Sequence, residues 1–198
     1  SKNCFVDNGI HVFSEDSFNI WDDGYPSGGN YWSDYNGTDL CNGSYQNLTG
    51  NDGIGDTPYV INASNQDNYP LMGMFSDFAA TPEYNVQTIC NSAISDFRFN
   101  GTAIIFNVAG KNGTIGFCRI CIPTSLMNDT FTVYVGGVNA TYSLLPCSNS
   151  THNYLYFTYN HSTQEVVIIP EFQSAIIMPL FMVATLLAVI LYRRKHSM

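Results

Sequence analysis

Basic residues are scarce in this sequence. The 198 residues include seven Lys and Arg against 16 Asp and Glu, a formal net charge of −9. Before Ser174 the shortage is sharper, because all 16 acids face only four bases and the net charge there is −12. Those four bases are Lys2, Arg98, Lys111 and Arg119. This negative charge repels the phosphate backbone of nucleic acids, so the composition excludes nucleic acid as a partner.

Catalytic signatures are also missing. The chain has no GxSxG, HExxH, GxGxxG or P-loop motif. Two pairs of neighbouring acids, Glu15–Asp16 and Asp22–Asp23, lie among turn residues. Sequence neighbours rarely face each other across a glycosidic bond, so the pairs do not predict a glycosidase. We therefore predict that this chain is not an enzyme. The alternative is the C-terminal part of a carbohydrate-active enzyme whose catalytic region lies upstream.

One long stretch lacks charge altogether. Residues 175–192 form an uncharged, strongly apolar run, and three bases follow within 193–198. A helix of that length measures about 27 Å, close to the hydrocarbon thickness of a bilayer. The pattern predicts a transmembrane α-helix at 174–192, a cytoplasmic tail at 193–198 and a single-pass protein of the cell membrane with its bulk at the cell surface. The start at Ser1, without Met or an apolar leader, predicts a piece of a longer chain.

Sequons for N-glycosylation are abundant. Ten occur, against the roughly three or four that random placement of Asn, Ser and Thr would give. They begin at Asn36, Asn42, Asn47, Asn62, Asn100, Asn112, Asn128, Asn139, Asn149 and Asn160. The alternative is that Asn, Gly and Thr gather in turns together. We predict a heavily glycosylated ectodomain.

The six cysteines of such an external domain are candidates for disulfides, with 15 possible pairings. They are Cys4, Cys41, Cys90, Cys118, Cys121 and Cys147. Cys118-x-x-Cys121 lies in a predicted strand, where residues three apart point to opposite faces. The spacing therefore argues against a redox or zinc pair and leaves Cys90 and Cys147 as the nearest candidate partners for one of these two cysteines.

Two patterns divide the chain before the apolar run. Residues 1–74 hold short apolar pieces broken by turn residues, residues 75–84 read as a linker, and residues 85–170 alternate apolar and polar positions. The alternating region predicts seven or eight strands in an antiparallel, immunoglobulin-like β-sandwich.

A family resemblance bears on the first of these regions. The runs GNYWSDY at 29–35, DGIGDTPY at 52–59 and DNYPLM at 67–72 resemble the closing section of NosD-type proteins. That family implies the end of a right-handed parallel β-helix over 1–74, and its members are often described as periplasmic copper-binding proteins. An insertion at about 40–50 departs from the family pattern. The predicted fold is thus all-β: β-helix end, sandwich and one C-terminal transmembrane α-helix.

The residues before the apolar run carry a second resemblance. Pro170-Glu171-Phe172, followed by an apolar span and a basic tail, is similar to the PEF-type sorting signals of archaeal surface proteins. The resemblance implies a sorting enzyme as a partner, one that removes the span and leaves a lipid anchor.

An acidic, Gly-rich loop region is the candidate metal site. Asp34, Asp39, Asp52 and Asp56 could supply oxygen ligands to Ca²⁺. The EF-hand spacing fails, because it would place Leu48 at the first ligand position. The alternative is that these carboxylates cap turns.

Copper and sugar are two further ligands to weigh. His11, His152 and His161 are scattered singly. Met72 and Met74 could offer two soft sulfurs, but they are better explained as packing at the end of the β-helix, so we predict no copper site in this chain. Two other candidates, Trp21 and Trp32, could stack on sugar rings or close the end of the β-helix core.

Together these observations predict a membrane-anchored surface glycoprotein with a structural, adhesive display role, whose partners are surface glycans or other surface-layer proteins. The alternatives are the truncated carbohydrate-active enzyme and a NosD-like copper-delivery protein.

Overall fold

The computed structural model describes residues 1–128, 130–171 and 192, and their ordered elements are β-strands. Residues 1–73 form an N-terminal lobe of short strands joined by long turns. Its strands are β1 (Cys4–Phe5), β2 (Tyr31–Trp32), β3 (Cys41–Asn42), β4 (Leu48–Thr49), β5 (Tyr59–Asn62) and β6 (Asn65–Asp67).

The rest of the described chain forms a sandwich of longer strands. They are β7 (Met74–Ala79), β8 (Asn85–Cys90), β9 (Ala93–Phe99), β10 (Ile104–Ala109), β11 (Ile115–Pro123), β12 (Phe131–Val135), β13 (Val138–Ala140), β14 (Tyr142–Leu144), β15 (His152–Asn160) and β16 (Gln164–Pro170).

Two five-stranded antiparallel sheets make up this sandwich. The front sheet has the order β14-β15-β11-β8-β7 and the back sheet the order β13-β12-β16-β10-β9. The chain changes sheet five times, between β8 and β9, β10 and β11, β11 and β12, β13 and β14, and β15 and β16. The edge strands β13 and β14 have three residues each, and a register shift interrupts the pairing of β9 with β10. The predicted antiparallel β-sandwich is confirmed, but it has ten strands and not the predicted seven or eight, because β7 falls mostly in the predicted linker and β13 and β14 are short additional edge strands.

The strand alternation produces the core between the sheets. In β10, Ile104, Phe106 and Val108 are fully buried while the residues between them are half-buried, the period of two that one buried face requires. Phe157 and Ile168 reach the same core from the two opposed sheets. The predicted linker at 75–84 contains most of β7, whose Phe78 stacks on Phe97 of the back sheet at 4.4 Å between ring centroids.

Strand β11 is buried on both of its faces. Its inward residues Cys118, Ile120 and Ile122 join the core between the sheets. On the outward face, Phe117 packs with Ile89 and with Ile54 and Leu71 of the lobe. The lobe therefore covers the outer face of the front sheet.

The predicted parallel β-helix over residues 1–74 is wrong. In the lobe only β1 and β2 pair as parallel strands, while β3–β4 and β5–β6 are antiparallel hairpins. The apolar pieces are two to four residues long, too short to stack as repeated coils. Their backbone groups are instead satisfied by turns and by Asp and Asn side chains. Ile54 and Leu71 pack against the sandwich, whereas Ile10, Phe18 and Ile20 are exposed.

The prediction of a single-pass membrane protein is also corrected. No helix among the described residues is long and apolar enough to cross a membrane. The proposed span at 174–192 lies outside the described residues apart from Tyr192, as does the tail at 193–198.

Candidate functional site

The candidate site lies where the lobe meets the outer face of the front sheet. Strand register places Phe75, Ile89 and Arg119 in one cross-strand row. Gln87 and Cys121 form part of the next row, which ends at Tyr154 on β15. The floor of the site is therefore made by residues from four adjacent strands.

Arg119 is the only charged residue of β11, and it is 2% exposed. Its Nη1 donates to the backbone oxygen of Asp52 at 3.1 Å and its Nη2 to that of Pro26 at 2.7 Å. The guanidinium carbon lies 5.2 Å from the ring centroid of Tyr154 and 5.9 Å from that of Tyr25. A buried charge is tolerated only when it is well hydrogen-bonded, and here the lobe supplies the acceptors. Arg119 therefore ties the lobe to the sandwich.

A cavity of about 120 Å³ opens beside this guanidinium. Its roof comes from the lobe, where the ammonium of Lys2 lies 5.2 Å from the ring centroid of Phe75. The cavity is lined by Lys2, Pro26, Ser27, Phe75, Gln87, Thr88, Ile89, Arg119, Cys121 and Tyr154. Two of the four basic residues before Ser174 thus meet at one cavity.

Cys121 in this cavity is not an activated nucleophile. Burial raises the pKa of its thiol, and this effect outweighs the lowering by the charges of Arg119 and Lys2. A thiol is a poor nucleophile compared with a thiolate. The cavity is consequently better suited to holding a ligand than to covalent catalysis.

The acidic loops act as turn caps. Asp39 accepts hydrogen bonds from the backbone N–H groups of Asp52 at 2.9 Å and Gly53 at 2.8 Å, and Asp52 accepts from Ile54 N–H at 3.0 Å. Asp56 accepts from the N–H groups of Leu40 and Cys41.

Asp34, the remaining calcium candidate, contacts Tyr59 Oη and His11 Nε2, each at 3.1 Å. Asp39 and Asp52 lie side by side. However, in the parts of the chain that the structure describes, no three His, Cys, Asp or Glu side chains are close enough to hold a metal ion.

Burial of these carboxylates predicts a pH-dependent stability. Burial raises the pKa of Asp39 to about 7, despite its two backbone hydrogen bonds, and also raises the pKa values of Asp52 and Asp67. The folded chain then binds more protons than the unfolded chain between about pH 4 and 7, so its stability falls as pH rises through that window. We expect the free energy of unfolding in urea to be higher at pH 5 than at pH 7.

Asp39→Asn is the matched variant for this effect. It removes one titrating group, so its dependence on pH should be shallower than that of the wild type by up to about 1.4 kcal/mol per pH unit. The comparison uses only the slopes of the free energy of unfolding against pH. Asparagine has a single acceptor oxygen, so Asp39→Asn lowers the stability itself at every pH. Equal slopes for the two proteins would contradict the assignment.

The aromatic residues of the lobe form a stack. Trp32 is 1% exposed and lies between Phe5 and Tyr59, with 4.3 Å between ring centroids on each side. Both faces of its ring are therefore covered and none is open to a sugar. Trp21 is half-buried and donates from Nε1 to Asn65 Oδ1 at 3.1 Å.

Asp67 organises this stack, and the sequence analysis did not single it out. One of its oxygens accepts from Asn30 N–H at 2.7 Å and from Trp32 Nε1 at 2.9 Å, and the other accepts from Tyr69 N–H at 3.1 Å. A Cβ added at Gly29 would lie 1.8 Å from Asp67 Oδ1. Glycine at position 29 is thus required for the carboxylate to approach the backbone.

The histidines and methionines weighed for copper lie in unrelated surroundings. His161 contacts Ser92 Oγ at 2.7 Å and Thr114 Oγ1 at 2.6 Å, whereas His152 contacts Thr151. Met72 packs on the lobe core and Met74 is exposed. Although Ser92 and His161 resemble a nucleophile and its base, Ser92 is only 3% exposed, so this contact is a structural one.

All six cysteines are free thiols. Cys90 and Cys118 are direct partners across β8 and β11 in the core between the sheets, whereas Cys121 faces the cavity. Cys4 is exposed, and Cys41 and Cys147 are half-buried.

The structure separates the sequons by accessibility. Eight of the ten asparagines are exposed, Asn62 is half-buried and donates to Ser14 O, and Asn42 is 7% exposed and donates to Thr49 O. In a glycosylating host we expect occupancy at exposed sites such as Asn100 and Asn112 and little at Asn42, because its amide nitrogen is covered. Glycopeptide mass spectrometry measures this, and a fully occupied Asn42 would contradict the fold around β3.

No family model, curated protein or solved structure matches the chain. The resemblances to NosD-type proteins and to PEF-type signals therefore remain predictions.

Proposed function

We propose that this chain is a non-catalytic structural module for display or adhesion, in which the lobe and the sandwich behave as one rigid body. The observation that supports the proposal most directly is the buried bridge made by Arg119. It joins strand β11 to two backbone carbonyls of the lobe, next to apolar contacts that both parts share. A module that transmits force or holds a surface in place needs such a connection.

The surroundings of the paired acids also support a structural role. Asp22 accepts hydrogen bonds from the backbone N–H groups of Gly24 and Asn68, each at 3.0 Å, and Asp23 accepts one from the Ser1 hydroxyl. Asp22 therefore caps a local turn and joins it to residue 68, and Asp23 contacts the start of the chain. A glycosidase instead needs two carboxyl groups that face each other across a substrate.

Equilibrium unfolding followed by two signals tests the rigid body. Both tryptophans of the chain, Trp21 and Trp32, lie in the lobe, so tryptophan fluorescence reports the lobe. Far-UV circular dichroism mainly reports the sandwich strands. One rigid body predicts coincident transitions in urea. A fluorescence transition at clearly lower urea would show that the lobe is an independent attachment and would contradict the proposal.

A second assay separates the structural role from catalysis. The chain is incubated with a panel of neutral and acidic polysaccharides, and new reducing ends are measured. The proposal predicts none above a heat-denatured control. Release of reducing ends by the folded chain would favour the carbohydrate-active alternative.

A further inference from the structure

We propose that the cavity between Lys2 and Arg119 binds a small oxyanion, namely a carboxylate or sulfate group with a small apolar body. This binding activity goes beyond the structural role, which needs no ligand. It is inferred from the charges, the chemistry and the size of the cavity.

The charge distribution is the first argument. The sequence before Ser174 has 16 acids and four bases, yet two of those bases line this one cavity. The other two lie elsewhere: Arg98 pairs with Glu165 at 3.0 Å, and Lys111 lies in an exposed turn. Among the described residues that line the cavity, none is acidic. A lining with two bases and no acid favours anions over cations, although Asp52 lies near Arg119 and Asp77 is the cross-strand neighbour of Gln87.

The hydrogen-bonding groups are the second argument. Arg119 uses Nη1 and Nη2 toward the lobe carbonyls, which fixes the position of its charge at the cavity wall. Asp52, the acid whose charge acts on Arg119, is not among the lining residues and accepts from Ile54 N–H on the lobe side. Lys2 and Gln87 also line the cavity and carry further N–H donors, and an oxyanion accepts from such groups.

The size and the apolar walls of the cavity limit the ligand to a small organic anion. A water molecule occupies about 30 Å³ of liquid, so a cavity of about 120 Å³ has room for a carboxylate or sulfate group and a few further atoms. Phe75, Ile89 and Pro26 provide apolar walls beside the charges. These walls favour an organic anion with a methyl group or ring edge over a fully hydrated inorganic ion.

Titration of the full chain with three probes tests the proposal. Acetate, propionate and sulfate are added separately at constant ionic strength, and binding is followed by calorimetry and by amide chemical shifts. We expect saturable binding with shifts at residues of β7, β8 and β11. Tighter binding of propionate than of acetate would show that the apolar walls contact the ligand, whereas tighter binding of sulfate than of both carboxylates would contradict the preference for an organic anion. Absence of saturable binding for all three probes would overturn the proposal.

Two lysine variants provide the control. Lys2→Gln removes one of the two positive charges of the lining and should weaken binding about tenfold, the usual effect of losing one charge-assisted contact. Lys111→Gln removes the same charge at an exposed turn and should leave the affinity unchanged. Equal weakening by both variants would overturn the proposal, because it would show a response to net charge alone. Neither result depends on whether lobe and sandwich unfold together, so the two proposals fail separately.

Discussion

Replacing Arg119 with methionine is expected to lower the free energy of unfolding by about 3–5 kcal/mol, the cost of removing one member of a buried charged arrangement. Methionine keeps most of the side-chain volume but donates no hydrogen bond. The carbonyls of Pro26 and Asp52 would then lose their buried donor, and the Asp52 carboxylate would lose its neighbouring positive charge. Because the lobe bears this loss, its fluorescence transition should move to lower urea than the circular dichroism transition.

Arg98→Met is the matched control. Arg98 donates to Glu165 at 3.0 Å, but both side chains are about half exposed, and such surface pairs contribute about 0–1 kcal/mol. The control should therefore unfold almost as the wild type does, with coincident transitions. If Arg119→Met behaved like Arg98→Met, the guanidinium would not be what joins the two parts of the chain.

Asp67→Ala is the second change with a large expected effect. It removes the acceptor for four buried or half-buried donors, two from Asn30 and one each from Trp32 and Tyr69. An unsatisfied buried donor costs about 1–3 kcal/mol, so a total loss of more than about 3 kcal/mol is expected in urea unfolding. The tryptophan emission of the native state should also change, because Trp32 Nε1 loses its partner.

Asp77→Ala tests whether this effect is specific. Asp77 is an exposed acid on β7, and its removal should change stability by no more than about 0.5 kcal/mol. A small loss in Asp67→Ala, with unchanged emission, would mean that aromatic packing rather than the carboxylate holds the lobe together.

The sandwich could be predicted from the sequence because its strands are recognised from neighbouring residues within each strand. In β10 and β12 every second residue is apolar and buried, and the residues between are half-buried. The period-two spacing of the apolar residues identifies strands with one core face. The strand order, by contrast, depends on contacts between distant residues, such as β10 with β16, and alternation does not encode it.

The lobe could not be predicted in the same way. Its fold depends on side-chain contacts between distant residues, such as Asp67 with Trp32, which are 35 positions apart. Short motifs suggested a repeated coil, while the structure uses the same residues as caps and stacking partners. One feature of the sequence could have indicated the site: Arg119 is the one charged residue in the apolar run 115–123. A charge buried in a strand requires hydrogen-bond partners from another part of the chain.

The edge strands of the sandwich determine whether neighbouring copies of the chain can join their sheets when they are packed densely. Two of the four edge strands, β13 and β14, are only three residues long, β9 carries a register shift, and β7 exposes Asp77. Open backbone ribbons are the usual templates for fibril-like growth, and short, bent or charged edges are poor templates. Dense arrays of this chain should therefore remain assemblies of separately folded units, without lateral joining of their sheets.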